Sequence, residues 1–143
     1  MSKKYPALDK DIFWRLIEIS TALSSERNKA RLFEKILDAA QDITHADGGT
    51  LYLLQEKNGK QVLEFEILRN DSLKLTLGGT SGRPIPFAPL SLYRDDGTPN
   101  HNNIATHTAL TKNVENIEDA YYAKHLDFSG TKAFDTRANY RSK

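Results

Sequence analysis

Metal ligation or general acid–base chemistry in this chain would call first on four histidines, His45, His101, His107 and His125. His101 and His107 lie six residues apart, so they cannot share one face of a helix. No carboxylate stands beside them at a recognised ligand spacing. They read as solvated or locally hydrogen-bonded side chains. The run Gly78-Gly-Thr-Ser-Gly-Arg83 could cradle a phosphate through backbone N–H groups, with Arg83 as counter-charge. It lacks the lysine and the spacing of a P-loop, and reads as a simple turn. Asp95-Asp96-Gly97 offers two acidic ligands but no later glutamate at calcium-loop spacing, so it reads as a turn at a loop tip. There is no cysteine, which excludes disulfides, thiolate metal sites and cysteine nucleophiles. No nucleophile, base or metal constellation is legible, and the expectation is a chain that is not itself an enzyme.

The 143 residues suit one domain with its own core. A hydrophobic fraction of 38% and a charged fraction of 27% are those of a globular chain. The net charge of +1 creates no field that would favour nucleic acid, a membrane surface or an acidic partner. No apolar run is long enough to cross a bilayer. The opening Met1-Ser-Lys-Lys-Tyr-Pro6 has no apolar segment behind it, unlike a signal peptide. The expected location is cytoplasmic.

Residues 9–25 carry Ile12, Leu16, Ile19 and Leu23 at helical spacing, widened by Phe13 and Ile17. Residues 1–28 are taken as this helix and its linker. The stripe fits packing on its own domain or a dimer seam. A second helix, with Leu32, Phe33, Ile36, Leu37, Ala40 and Ile43 on one face, is expected to end at Asp47-Gly48-Gly49. Thr50 to Leu54 reads as a strand, and Asn58-Gly59 as a tight hairpin turn. In the next strand Leu63, Phe65 and Ile67 alternate with Glu64 and Glu66. A third holds Leu73, Leu75 and Leu77 after a turn at Asn70-Asp71-Ser72. This predicts an antiparallel meander with one wet face. From Gly78 to Asn102 no periodicity survives, but Ile85, Phe87, Leu90 and Leu92 argue for a loop folded down onto the domain. Asn102 or Asn103 can cap a short helix through Ile104, Ala105, Thr108 and Leu110. Another short helix is expected through Ala120, Tyr121 and Tyr122, and residues 127–143 read as a polar loop.

This order, with Asn116-Ile-Glu-Asp-Ala-Tyr121 and the pair Phe134-Asp135 followed by Tyr140-Arg141-Ser142-Lys143, resembles the GAF domain. The loop Gly78 to Phe87, with Pro99-Asn-His-Asn102, is similar to a bacterial subgroup often fused to phosphohydrolase modules of the HD-GYP kind, to nucleotide cyclases or to histidine kinases. The resemblance implies an α+β fold, a central antiparallel sheet flanked by helices, over residues 29–143. It also implies that two central strands and a final helix would follow Lys143. A regulatory, small-molecule-sensing or signal-relay role is expected, with a homodimer through the N-terminal helix and an output domain in cis. A purely structural dimerisation or spacer role is the alternative. The implied ligand site comprises Ile104, Ala105, Thr108, Ala120, Tyr121, Phe134 and Asp135. A cyclic nucleotide or other purine-like molecule is the candidate ligand. Ile104-Ala105 and Asp135 fit that pattern, whereas Ala138 stands where a threonine hydroxyl would be. A covalent bilin is excluded by the lack of cysteine.

Overall fold

The computed structural model describes residues 10–124 and 126–141, and at positions 130, 131, 133, 134 and 137 the backbone alone. The chain has an α+β architecture. Helices α1 (Lys10–Ser25) and α2 (Lys29–Thr44) come first. Strands β1 (Gly48–Lys57), β2 (Lys60–Asn70), β3 (Leu75–Gly78) and β4 (Leu90–Ser91) follow, then α3 (Ile104–Thr111) and α4 (Ser129–Ala138). The strands form one antiparallel sheet in which β2 is central. β1 pairs along one edge of β2, and β3 and β4 share the other. Among the described residues no strand pairs with the outer edge of β1.

α1 and α2 form an antiparallel hairpin. Arg15 near the start of α1 pairs with Asp42 near the end of α2, and Glu26 in the connection pairs with Lys35 at 3.0 Å. Asn28 caps α2 by accepting the Arg31 N–H at 3.0 Å. α2 does not stop at Asp47-Gly48-Gly49. His45 takes the left-handed position, φ 53°, and its N–H bonds the Gln41 carbonyl. The glycines instead open β1, because a Cβ on Gly49 would lie 2.7 Å from Leu37 Cδ1. The absent side chain lets α2 close onto the sheet.

The β1–β2 hairpin turns at Asn58-Gly59, both with positive φ, as a two-residue turn of this kind requires. Its register slips once. Leu51 faces Ile67 but Tyr52 faces Phe65, so Glu66 is an extra, bulged residue. Paired residues share a face, so the bulge places Phe65 and Ile67 on opposite faces and corrects the single alternation expected for this strand. Ile67, 1% exposed, joins Leu51 and Gly49 on the side that α2 covers. Phe65 joins Tyr52 on the other side, with ring centroids 4.7 Å apart. Phe87, from the loop, packs on Phe65 at 5.5 Å. The expected wet face is therefore partly covered by aromatic residues.

β3 begins at Leu75, two residues later than expected. Asn70 Oδ1 accepts the Leu73 N–H, and Lys74 adopts φ 50°, which extends the turn. The aperiodic stretch contains β4 and a small hairpin, held by the Tyr93–Pro99 bridge, around Asp95-Asp96-Gly97. Asp96 accepts from the Thr98 N–H and hydroxyl, so this loop tip is closed by its own hydrogen bonds. Leu92, 3% exposed, anchors the loop to the domain. The expected helix through Tyr121 is a single turn, with the Tyr122 N–H on the Asp119 carbonyl. The expected polar loop after Asp127 contains α4. The segment holds Gly130, Thr131 and Thr136, all weak helix formers, so its local signal is faint.

Buried apolar residues fall into two sets. Leu37, Val62, Leu63, Ile67, Leu77 and Leu92 belong to the sheet half. Ala120, Leu126 and Phe128 form a second cluster, with Ile104, Ile117 and Ala123 packed against it.

Gly78 shows how tightly the β2–β3 edge is drawn. Its φ is 73°, and a Cβ there would sit 2.1 Å from the Glu66 carbonyl oxygen. Gly82 has a similar φ of 69° and nothing within 4 Å. Gly82→Ala is expected to cost about 1 kcal/mol from backbone strain alone, and Gly78→Ala about 2–3 kcal/mol or more. Urea denaturation of the two variants measures the difference, and equal costs would show that the close approach contributes nothing.

Candidate functional site

The segment from Asp119 to Tyr121 and the helix α4 meet in one polar cluster. The Tyr121 hydroxyl donates to Asp135 Oδ2 at 2.7 Å across 14 residues of chain. Asp135 is fully buried and projects from α4, whereas the Tyr121 side chain lies nearer the surface. The Tyr121 ring is flanked by two cations. Arg141 Cζ lies 4.4 Å from its centroid and Lys132 Nζ 5.3 Å. Asp119 holds the arrangement from below. One of its oxygens accepts the Tyr121 N–H at 2.8 Å and the other the Arg141 guanidinium at 2.7 Å.

The electrostatics follow from these contacts. Donation to Asp135 raises the Tyr121 phenol above its ordinary range, because ionising it would forfeit that bond. The Asp119 carboxylate raises Arg141 further. The cluster offers an aromatic face under positive charge and a buried carboxylate that accepts from the Tyr121 hydroxyl.

Of the residues expected at the site, Tyr121 and Asp135 are brought into direct contact. Ile104 and Ala120 are brought together in the apolar cluster beside them, where they pack as core. Ala105 and Thr108 are half-buried on α3, whose fully buried side chain is Thr106. The Thr106 hydroxyl bonds Asn103, the cap of the same helix. The side chain of Phe134 lies outside the described residues, and so does His125. Arg141, Lys132 and Asp119 were missed as site residues. Their charge gives no positional signal until α4 folds back over Tyr121.

The other candidates resolve differently. In the Gly78–Arg83 turn the Thr80 N–H and hydroxyl both donate to Glu34 Oε1, at 2.7 and 2.8 Å, so a carboxylate of α2 occupies those donors. The backbone N–H is the leading cause that holds Glu34 below the ordinary carboxylate range. His101 and His107, separated by six residues in sequence, meet at their Nδ1 atoms, 3.0 Å apart. Among the described residues no group of three or more His, Cys, Asp or Glu side chains is arranged to hold a metal. Nor is any helix long and apolar enough to cross a membrane.

No protein-family model matches the chain, and no curated protein or solved structure shows significant similarity to it.

The cluster is tied to the rest of the chain one turn further on. The Tyr140 hydroxyl donates to Asp47, between α2 and β1, and Asp47 also accepts from the Ser72 hydroxyl at 2.7 Å. The Tyr140 bond is the leading cause that holds Asp47 below its ordinary range. A carboxylate whose folded pKa is depressed stabilises the fold above its unfolded pKa, and that contribution disappears as pH falls through the folded value. The stability gap between the native chain and Asp47→Asn should therefore be widest near neutrality and close below about pH 4. Urea titrations across that range test it, and a pH-independent gap would refute the assignment.

Proposed function

We propose that this chain is a regulatory domain of the GAF type, sensing a small molecule or relaying a signal and not catalytic itself. The observation that carries the reading is the buried Asp135 carboxylate sealed by the Tyr121 hydroxyl. That bond can be exchanged for one to a ligand without leaving the carboxylate bare. A purine-like molecule or cyclic nucleotide has the right character, with a flat ring for the aromatic and cationic face and N–H donors for Asp135.

The route from this cluster to α1 is short and supports a relay. α4 ends beside Tyr140, which grips Asp47. Asp47 lines an open groove of about 850 Å³ whose other walls include Asp11, Ile12 and Arg15 of α1 and Asp42 of α2. A shift of α4 on ligand binding would act on Asp47, and through that groove on the α1–α2 pairing. An output module joined in cis would receive the change.

The test is a panel of cyclic nucleotides and purines measured by calorimetry and thermal shift. Native chain should bind a member of the panel, and Asp135→Asn should bind it about 10–100-fold more weakly, as loss of a charge-assisted bond implies. No binding by the native chain would leave the spacer reading, and equal binding by Asp135→Asn would move the site elsewhere.

A second reading rests on α1 itself. Ile12, Phe13 and Trp14 are 51%, 50% and 61% exposed, a concentration of apolar surface that favours association. In this reading a second copy covers that face and the domain serves as a dimerising spacer. Phe13→Ala with Trp14→Ala should then weaken self-association at least about tenfold and change folding stability by less than about 1 kcal/mol, since neither side chain is buried. Sedimentation equilibrium and denaturant melts on the same samples separate the two effects. A loss of stability without a change in association would show that the face packs within the chain.

A further inference from the structure

His101 stands two residues before Asn103, the cap of α3, and His107 is the fourth residue of that helix. The extended backbone at Asn103, φ −138° and ψ 161°, carries the chain across the helix end, so that two imidazoles from different local structures converge. Their Nδ1 atoms are 3.0 Å apart and their ring planes lie at 63°. Two nitrogens that bind the same zinc-sized ion at about 2.0–2.1 Å, with an angle of roughly 90–110°, stand about 2.9–3.4 Å from each other. The separation here is within that bite. On the far side of His107, Nε2 lies 3.4 Å from Glu115 Oε1. A carboxylate behind a ligating imidazole keeps the proton on the remote nitrogen and turns the other lone pair toward the metal. The His101 side is exposed, so water can reach the point between the rings.

We propose that His101 and His107 form a two-imidazole site for a divalent late-transition cation of the Zn²⁺ class, with Glu115 as the residue that positions His107. Imidazole nitrogens select Zn²⁺, Ni²⁺ and Cu²⁺ over Mg²⁺ and Ca²⁺. Two protein ligands leave the remaining positions to water, which makes this an open, exchangeable site rather than a closed structural one. Without the ion, one Nδ1–H donates to the other Nδ1. The ion takes the place of that shared proton, which moves from Nδ1 of the donating ring to its Nε2, so both ligands remain neutral imidazoles.

The experiment titrates zinc chloride into the full chain carrying His45→Gln and His125→Gln, which removes the other two imidazoles. Calorimetry should show one ion per chain, and magnesium chloride should give no saturable binding. In nitrogen-detected NMR the Nδ1 resonances of His101 and His107 should shift together. Adding His101→Ala should weaken zinc binding at least about tenfold with an unchanged circular dichroism spectrum, because that side chain is at the surface. Adding Glu115→Gln should weaken it roughly tenfold while both imidazoles still respond. Absence of one-to-one zinc binding, or zinc binding that survives His101→Ala at full strength, would overturn the proposal.

Discussion

The seating of α2 on the sheet is the contact on which the rest of the structure depends. Leu37 reaches the backbone of β1 because position 49 has no side chain, and any Cβ there would meet Leu37 at 2.7 Å. Arg69 of β2 extends the same interface in ionic form. It pairs with Asp38 and lies near Glu34, which in turn binds the Thr80 turn at the end of β3. Apolar closure and charge pairing thus act on one helix face and bring it against three successive parts of the sheet. The Asp38 pair offsets part of the cost of desolvating Arg69, whose buried Nε has no hydrogen-bond partner among the described residues. A shift of that helix would disturb all of these contacts together.

The bulge at Glu66 determines what lies on each side of that sheet. By turning Ile67 toward α2 and Phe65 away from it, one extra residue gives both faces an apolar side chain from the same strand. The face opposite α2 acquires the Tyr52, Phe65 and Phe87 rings, and the loop that carries Phe87 is pinned by Leu92 and by β4 on β2. The same carbonyl that belongs to the bulge, that of Glu66, accepts the Gly79 N–H at 3.1 Å. The bulge and the left-handed Gly78 turn therefore form one unit, and the loop leaves the sheet in the direction that unit sets.

Among the described residues the second half of the chain is joined to the first by a polar contact. Its own small core is Ala120, Leu126 and Phe128. The Tyr140–Asp47 bond spans 93 residues and connects α4 to the α2–β1 corner. Polar links of this kind are directional and can be exchanged for water or ligand, whereas apolar packing is neither. Such a connection suits a part of the molecule whose position is to be altered by binding, which agrees with the proposed sensing role.

What the amino-acid sequence alone determined was whatever depends on local pattern. The two N-terminal helices, the Asn58-Gly59 turn, the antiparallel meander and the Asn103 cap follow from helical or alternating spacing and from residues with narrow backbone preferences. The α+β class, expected from the resemblance those elements carry, is the class of the structure. Tertiary structure decided the features that depend on partners distant in the chain. Gly48 and Gly49 looked like a helix stop, yet Gly49 admits Leu37 and Gly48 lies close against Arg69 and Asn70 of β2, needs visible only when α2 and β2 lie on β1. The Glu66 bulge is an insertion relative to a neighbouring strand and leaves no mark in the strand's own alternation. α4 forms from weak helix formers, and its Asp135 bond to the Tyr121 hydroxyl is a contact that propensities of a few tenths of a kcal/mol per residue do not register. Tyr121 and Asp135 could be named from the sequence as separate site residues. Their mutual hydrogen bond, and the placing of Arg141 over the ring, required α4 to fold back across them. His101 and His107 show the same limit. A spacing of six excluded a shared helix face, but one residue of extended backbone before the helix removes that exclusion by changing the direction of the chain.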